Sequence, residues 1–334
     1  MRAGMQPKKK KKAEASNAAS GRVARNRMRI AWMYYVEGLT QGEIADALGI
    51  GRVTVIRNIN EAIRQHEVRI WITGHVAECL ELEKSLKAAF GLVDCIVVPE
   101  PSTPNAVNKA IGAAAGMYVT DQLKNNTCIG VGWGATLLES LQTLAHRHWE
   151  NMEVVSLLGG IVQARQFNPS EFAWQFSKLI GADCYLLAAP AVVDSPKTRR
   201  ALIERCGLDA VLERSAKMDM ALLSVGNMAS QSTAFRMGFL SEAERRALQA
   251  KGAVGDMLYN FFDIEGRLVK HPVNDRVMSM PIERLRSVAR RVLISGGADK
   301  VAAILGGLRL VKANVLITNE ATAAALLQAK ARRS

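Results

Sequence analysis

What most limits the folds open to this 334-residue chain is a unit that recurs along it. A short run rich in apolar and β-branched residues ends in a glycine or small polar turn, and a helical pattern follows. Cys-Ile-Gly-Val at 128–131 precedes Gly-Trp-Gly-Ala-Thr, Glu-Val-Val-Ser-Leu-Leu at 153–158 precedes Gly159-Gly160, and Asp-Met-Ala-Leu-Leu-Ser-Val at 219–225 precedes Gly226-Asn227. Arg-Val-Leu-Ile-Ser at 291–295 then leads into Gly296-Gly297, and Asn-Val-Leu-Ile-Thr at 314–318 into Asn-Glu-Ala-Thr. Strands alternating with helices predict an α/β domain with a doubly wound, mostly parallel, Rossmann-like sheet. Ligands of such sheets bind off the carboxyl ends of the strands. The loops therefore predict a pocket built from Gly132, Trp133, Gly134, Ala135, Thr136, Gly159, Gly160, Gly226 and Asn227.

Composition removes several other classes. The longest wholly apolar run is about nine residues, at 185–193, and the roughly 18–20 needed for a bilayer span are not reached. The first residues are charged and carry no apolar h-region, so no secretory signal is read and the cytoplasm is the expected compartment. The five cysteines are widely spaced, with no C-x-x-C pair, which argues against a disulfide framework or a zinc site. No cofactor or metal is expected.

A different pattern occupies residues 26–74. Met28, Ala31, Trp32 and Tyr35 fall at i, i+3, i+4 and i+7, the stripe of an amphipathic helix ending near Gly38. Thr40-Gln41-Gly42-Glu43 reads as a capping box opening a second helix, with Ile44, Ala45 and Leu48 apolar, and Gly49 stops it. A third helix runs from about Arg52 to Gln65 with Val55, Ile59 and Ala62 facing inward. That leaves Arg52, Val53, Thr54, Ile56, Arg57 and Asn60 on other faces, the layout of a recognition helix. Arginines can pair with guanine or phosphate, and Ile56 or Val53 can touch a thymine methyl. With Thr40 and Gln41 at the start of the second helix, these residues form a candidate interface to double-stranded DNA. The plain alternative is a three-helix packing unit. Beyond it, residues 69–80 read as a short strand or linker before a helix at 81–90, and the domain boundary falls near residue 75, with a second domain over 75–334.

Charge adds less than its sum suggests. The chain carries a net +13, but +7 of it lies in residues 1–25, a lysine-rich tail without large apolar residues that is expected to be disordered. Residues 26–72 carry only +1.

The stretch GLTQGEIADALGIGRVTVIRNINEA at 38–62 resembles the helix-turn-helix of the SorC family of bacterial sugar-responsive transcription regulators. It departs from that family at Gly51, usually serine, at Ile56, usually polar, and at Asn58, usually apolar. Asn58 either reads DNA or is a partly buried, hydrogen-bonded polar group. GVGWGAT at 130–136 resembles the G-x-G-W-G-x-T stretch of SorC-type effector domains, whose fold is similar to that of sugar-phosphate isomerases and glucosamine-6-phosphate deaminase. LLGG at 157–160, SVGN at 224–227, GDMLYNFFDIEG at 255–266, SGGADKVAAILGGL at 295–308 and LITNEATA at 316–323 match the same family in order. The family often has aspartate at the position of Asn319. The resemblance spans residues 26–330 and implies a DNA-binding regulator of a carbohydrate or polyol operon. A small sugar, polyol or sugar-phosphate effector would bind the second domain, and the chain would form a tetramer through it.

Within those motifs Asp256 and Asp263 are candidates to accept hydrogen bonds from sugar hydroxyls, and Lys300 to face a phosphate. Asp256 can equally cap a turn, Asp263 with Gly266 can shape a hairpin, and Lys300 can be a solvated first-turn lysine. In GVGWGAT the glycines admit close backbone approach, Thr136 offers a hydroxyl and a helix N-terminus favours an anion. The same letters read as G-x-G-x-x-A, but the next strand ends in Gly159-Gly160 rather than the acid an NAD ribose needs. A competing reading is a sugar-phosphate isomerase or deaminase with a DNA-binding head. That chemistry needs a carboxylate and a histidine. The only histidine pair, His146 and His148, is expected at a helix end where cations suit the dipole. His271 follows a hairpin strand without an evident role. No catalytic residues are assigned.

Overall fold

A computed structural model describes residues 23–65, 67–68, 76–103, 106–161, 168–236, 238 and 240–332. The chain divides into two compact units, residues 1–72 and 73–334. The tail before residue 23 and the segment 69–75, expected as strand or linker, lie outside the described residues.

Among the described residues the first unit holds three helices, α1 (residues 23–35), α2 (Gln41–Leu48) and α3 (Arg52–Arg64). The capping box forms: the Glu43 N–H donates to the Thr40 hydroxyl and Glu43 accepts from the Thr40 N–H at 2.7 Å. Gly49 turns the chain at φ 63°, a left-handed conformation that costs glycine nothing. Val55, Ile59 and Ala62 are buried as the spacing requires. The inward face of α1 differs from the expected stripe. Ile30, Ala31 and Met33 are buried, while Met28 and Trp32 are 54% and 58% exposed. Ile30 and Met33 form a second i, i+3 pair in the same turns, and these pack with Ile44, Ala45, Val55 and Ile59. A bidentate pair between Arg27 and Glu67 (Nε to Oε2 2.6 Å) ties α1 to the chain beyond α3.

In the second unit seven strands form one parallel sheet: β1 (Asp94–Val98), β2 (Cys128–Val131), β3 (Glu153–Ser156), β4 (Asp183–Tyr185), β5 (Met220–Leu223), β9 (Arg290–Ile294) and β10 (Val315–Asn319). Their spatial order is β1-β10-β9-β5-β2-β3-β4. All five strands foreseen from the sequence are present, joined by β1 and β4 at the edges. Alternate residues go to opposite faces, the period of a strand. Ile129, Val131, Leu222, Val292 and Ile317 enter one core with helices α5 (Val107–Gln122) and α7 (Pro169–Ile180). Cys128, Ala221, Leu223, Leu293 and Leu316 enter the other with α4 (Val76–Phe90), α8 (Val301–Leu310) and α9 (Glu320–Ala331). Burial on both faces explains why these strands are continuous apolar runs rather than alternating ones. Helix α4 begins at Val76, earlier than expected, because its small and apolar residues extend the helical face of Leu86 back to Cys79.

From β2 the chain steps outward through β3 and β4, then returns and steps the other way through β5, β9 and β10. The reversal falls between β2 and β5, so their following loops diverge and leave a crevice at the strands' carboxyl ends. A small antiparallel sheet, β6 (Gly226–Asn227), β7 (Gly255–Met257) and β8 (Asn260–Phe262), follows β5 and pairs Gly226 with Asp256.

Candidate functional site

Over that crevice lies a cavity of about 260 Å³. The loop after β2 brings Trp133, Gly134, Ala135 and Thr136; the chain after β5 brings Ser224, Gly226 and Asn227; β7 brings Asp256; and the turn after β9 brings Asp299 and Lys300. Asn108 of α5 closes one side and residues 229–236 another. Trp133 stacks on Tyr259, with ring centroids 5.5 Å apart, so one aromatic face is fixed by the other. Gly134 takes φ 138°, which only glycine adopts without strain, and lets the backbone turn into the short helix α6 (Ala135–Glu139). The Thr136 hydroxyl donates to Asn108 Oδ1 at 2.8 Å. A side chain at Gly226 would meet Asp256 Oδ1 at 2.3 Å, so glycine is what lets the carboxylate lie against this backbone.

The electrostatics centre on Asp256 and Lys300. Burial pushes the Asp256 carboxyl up to about 6, against the Tyr259 N–H that donates to Oδ2 at 3.1 Å and against the charge of Lys300. Burial lowers Lys300 from its ordinary value, and Asp299 and Asp256 oppose the shift. A carboxyl poised near 6 and a half-buried ammonium in one largely polar crevice offer an acceptor and a donor to a hydroxyl-rich molecule. Asn227 donates to Asp299 Oδ2 at 2.5 Å and accepts from the Ala229 N–H at 3.1 Å.

Four of the predicted effector residues do not line this cavity. Gly132 donates its N–H to Leu222 O at 2.8 Å and is wedged against β5. Gly159 and Gly160 donate to Met278 O and Ala189 O, and a side chain at Gly159 would meet the Ala189 carbonyl at 2.5 Å, so close backbone packing explains that pair. Asp263 Oδ1 accepts from the Glu265 and Arg267 N–H groups at 2.9 Å and shapes the turn before Gly266. Asn319 lies at a neighbouring cavity that shares Asn108, Asp299 and Lys300 with the first. Its Nδ2 donates to Glu100 and its Oδ1 accepts from Thr322. Helix α6 is only five residues long, too short to present much of a dipole, and is followed by a single 3₁₀ turn at Ser140–Gln142. His146 and His148 therefore sit beyond that turn rather than at a helix end, with Arg147 over the Trp149 ring. His271 caps a 3₁₀ turn, its Nδ1 accepting from the Val273 N–H.

Sequence reading missed Asn108, Ser224, Gln231, Ser232, Arg236 and Asp299. Ser224 and Asp299 adjoin residues that were selected, and taking whole loops rather than their glycines finds them. Asn108 lies in the first turn of α5, far from the other lining segments in sequence, with no local pattern to mark it.

In the three-helix unit, Arg52, Val53, Ile56, Arg57 and Asn60 of α3 are exposed and Thr54 is half-buried. Val53 is 80% exposed. Asn58 donates to Thr54 O at 2.8 Å and so returns its polarity to its own helix. Gln41 is half-buried, and the Thr40 hydroxyl is engaged twice, accepting from the Glu43 N–H and donating to its carboxylate at 2.7 Å.

A parallel sheet with a polar, tryptophan-lined cavity at its switch point, in a chain that also carries a separate helical unit, defines an α/β protein built to bind a small molecule. Residues 74–328 match the family described as "Putative sugar-binding domain", and the chain belongs to this family of SorC-type regulators. It is 30% identical over 297 residues to the deoxyribonucleoside regulator of Bacillus subtilis (strain 168), covering 88% of this chain and 95% of that one. It is 27% identical over 302 residues to the erythritol catabolism regulatory protein EryD of Brucella abortus (strain 2308), covering 90% and 95%. Among solved structures, the full-length sorbitol operon regulator SorC from Klebsiella pneumoniae superposes with a TM-score of 0.73 at 27% identity, covering 91% of this chain and 98% of that one.

Proposed function

We propose that this protein is a transcriptional regulator of a carbohydrate or polyol operon, and that a sugar, polyol or sugar-phosphate effector in the cavity changes its affinity for operator DNA. The observation that carries the effector half is Asp256, Lys300 and Trp133 meeting in one polar cavity at the switch point. Asp256 accepts from effector hydroxyls, Trp133 packs against their carbon face, and Lys300 and Arg236 are the cations available to an anionic end. Thr136 and Asn227 complete the polar wall.

On the DNA side α3 enters the major groove as the recognition helix of a helix-turn-helix. Arg52 and Arg57 reach bases or phosphates, Val53 and Ile56 meet thymine methyls, and Thr54, Asn60 and Gln41 add polar contacts. Thr40 acts through its cap. One such unit makes too few base contacts for useful specificity. Copies therefore bind half-sites about 10–10.5 bp apart, or multiples of that, held together as a tetramer through the second unit. Coupling of about 1–3 kcal/mol between effector and operator would change affinity roughly 5- to 150-fold. The protein acts in the cytoplasm, where the operon is.

The test is a thermal-shift screen of sugars, polyols and their phosphates, with sorbitol, erythritol and deoxyribonucleosides included. It is followed by binding to an operator selected from a random duplex pool, with and without the hit. A hit that stabilises the protein and shifts operator affinity supports the reading. A hit that is turned over at useful rates favours the isomerase or deaminase alternative.

A further inference from the structure

Residues 229–236 contribute Ala229, Gln231, Ser232, Thr233, Ala234 and Arg236 to the cavity, more than any other segment. This wall is largely local in its bonding: Ser232 and Phe235 donate their N–H groups to Ala229 O and Ser232 O within it, and only the four residues Thr233–Arg236 are helical. Two anchors hold its start. Arg245 donates from Nη1 to Met228 O at 2.8 Å, and the Asn227 side chain bridges, accepting from the Ala229 N–H while donating to Asp299 Oδ2. Asp299 belongs to the 3₁₀ turn Ala298–Lys300 after β9, on the opposite side of the switch point from the β2 loop. The wall also carries Ser232, whose hydroxyl is buried without a hydrogen-bond partner among the described residues. A buried donor left unmatched costs stability, and a cavity-lining one is matched by what enters the cavity.

We infer that Asp299 is a positioning residue: acting through Asn227, it holds the 229–236 segment in place as the cavity's selective wall, with the Ser232 hydroxyl directed to an effector hydroxyl. The assignment to an effector rests on the function proposed above, whereas the positioning itself does not. The Asn227 amide nitrogen donates, to Asp299 Oδ2 and at 3.5 Å to the Asp299 carbonyl, its oxygen accepts, and the Asp299 carboxylate only accepts, so the polarity of the side-chain contact is fixed by chemistry. Exchanging the two residues reverses that polarity and keeps the shorter, side-chain bond, because aspartate at 227 still accepts from Ala229 while asparagine at 299 becomes the donor; only the long contact to the 299 carbonyl is given up.

Amide hydrogen exchange on the full-length protein without effector tests this. N227D, which sets two carboxylates against each other, is expected to speed exchange of the 229–236 amides about tenfold or more, while the amides of β2, β5 and β9 keep their protection. The double variant N227D/D299N is expected to return within about threefold of wild type. If N227D loses protection across the sheet, D299A, which removes the acceptor without adding charge, replaces it in the comparison. Unchanged exchange in the single variant, or a double variant as fast as the single, overturns the proposal. These outcomes need no effector, so failure here is separate from failure of the effector reading.

Discussion

Replacing Asp256 with asparagine is expected to stabilise the protein above pH 6, the reverse of what removing a buried polar residue ordinarily does. The carboxyl ionises near 3.8 in the unfolded chain and near 6 when buried beside Gly226. Between those values the folded state binds the extra proton, so stability falls as pH rises through this window and then levels off. At about 1.36 kcal/mol per unit, the full cost of the ionised form is about 3 kcal/mol at pH 7.5, of which about 1 kcal/mol is already present at pH 4.5. Asparagine escapes this cost while its carbonyl still accepts from the Tyr259 N–H. The advantage of Asp256→Asn over wild type should therefore grow by about 2 kcal/mol between pH 4.5 and 7.5, or about 4–8 °C in Tm for a domain of this size. Thermal unfolding of both proteins at half-unit pH steps, without effector, measures it, and subtracting one curve from the other cancels groups common to both. A difference that is flat with pH, or that shrinks as pH rises, refutes the argument that burial dominates at this carboxyl. The same substitution should abolish effector response, which would make Asp256 a residue retained for binding at the expense of stability.

Arg57→Ala should weaken operator binding and relax preference at one base pair; equal losses on operator and random duplexes would reduce Arg57 to a phosphate contact. Thr136→Val, which deletes the bond to Asn108, should abolish effector response in an operator-binding assay yet leave unliganded binding intact, and a normal response would place the effector elsewhere. Arg27→Ala breaks a partly buried bidentate pair with Glu67 and should cost the three-helix unit about 1.5–3 kcal/mol, read as faster amide exchange in α1–α3 but not in the parallel sheet. Removing residues 1–22 should lower affinity for operator and random DNA alike, with a shallower salt dependence and an unchanged ratio between them.

The sheet was legible because strands buried on both faces are written as uninterrupted apolar runs, and each of the five foreseen runs holds a strand. The edge strands β1 and β4 were harder: Asp94–Val98 and Asp183–Tyr185 are only partly buried and blend with their surroundings. Reading α1 failed for a related reason. Met28 and Trp32 lie four residues apart and Ile30 and Met33 three, both helical spacings, and spacing alone does not say which of two apolar stripes meets the rest of the unit. Glycine carried two meanings that the sequence does not separate. At Gly134 it opens the cavity, and at Gly159 it admits a neighbouring carbonyl. Asp256 and Lys300 were found through motifs, but their meeting depends on β7 pairing with β6 and on the turn after β9, contacts between segments far apart in sequence. Asp299, beside Lys300, was overlooked because its part is played through Asn227.

In the parallel sheet the first strand lies beside the last: β1 pairs with β10 from Asp94 opposite Val315 to Val98 opposite Asn319. A ribosome therefore cannot release a finished effector domain until nearly the whole chain has been made. The described members of the three-helix unit's core and its Arg27–Glu67 pair all lie before residue 68. At roughly 5–20 residues per second, about ten to fifty seconds of synthesis separate the two events. During that interval each nascent chain would carry a complete three-helix unit and a sheet that still lacks an inner strand, and the cavity-bearing unit closes only when β10 slots in between β1 and β9.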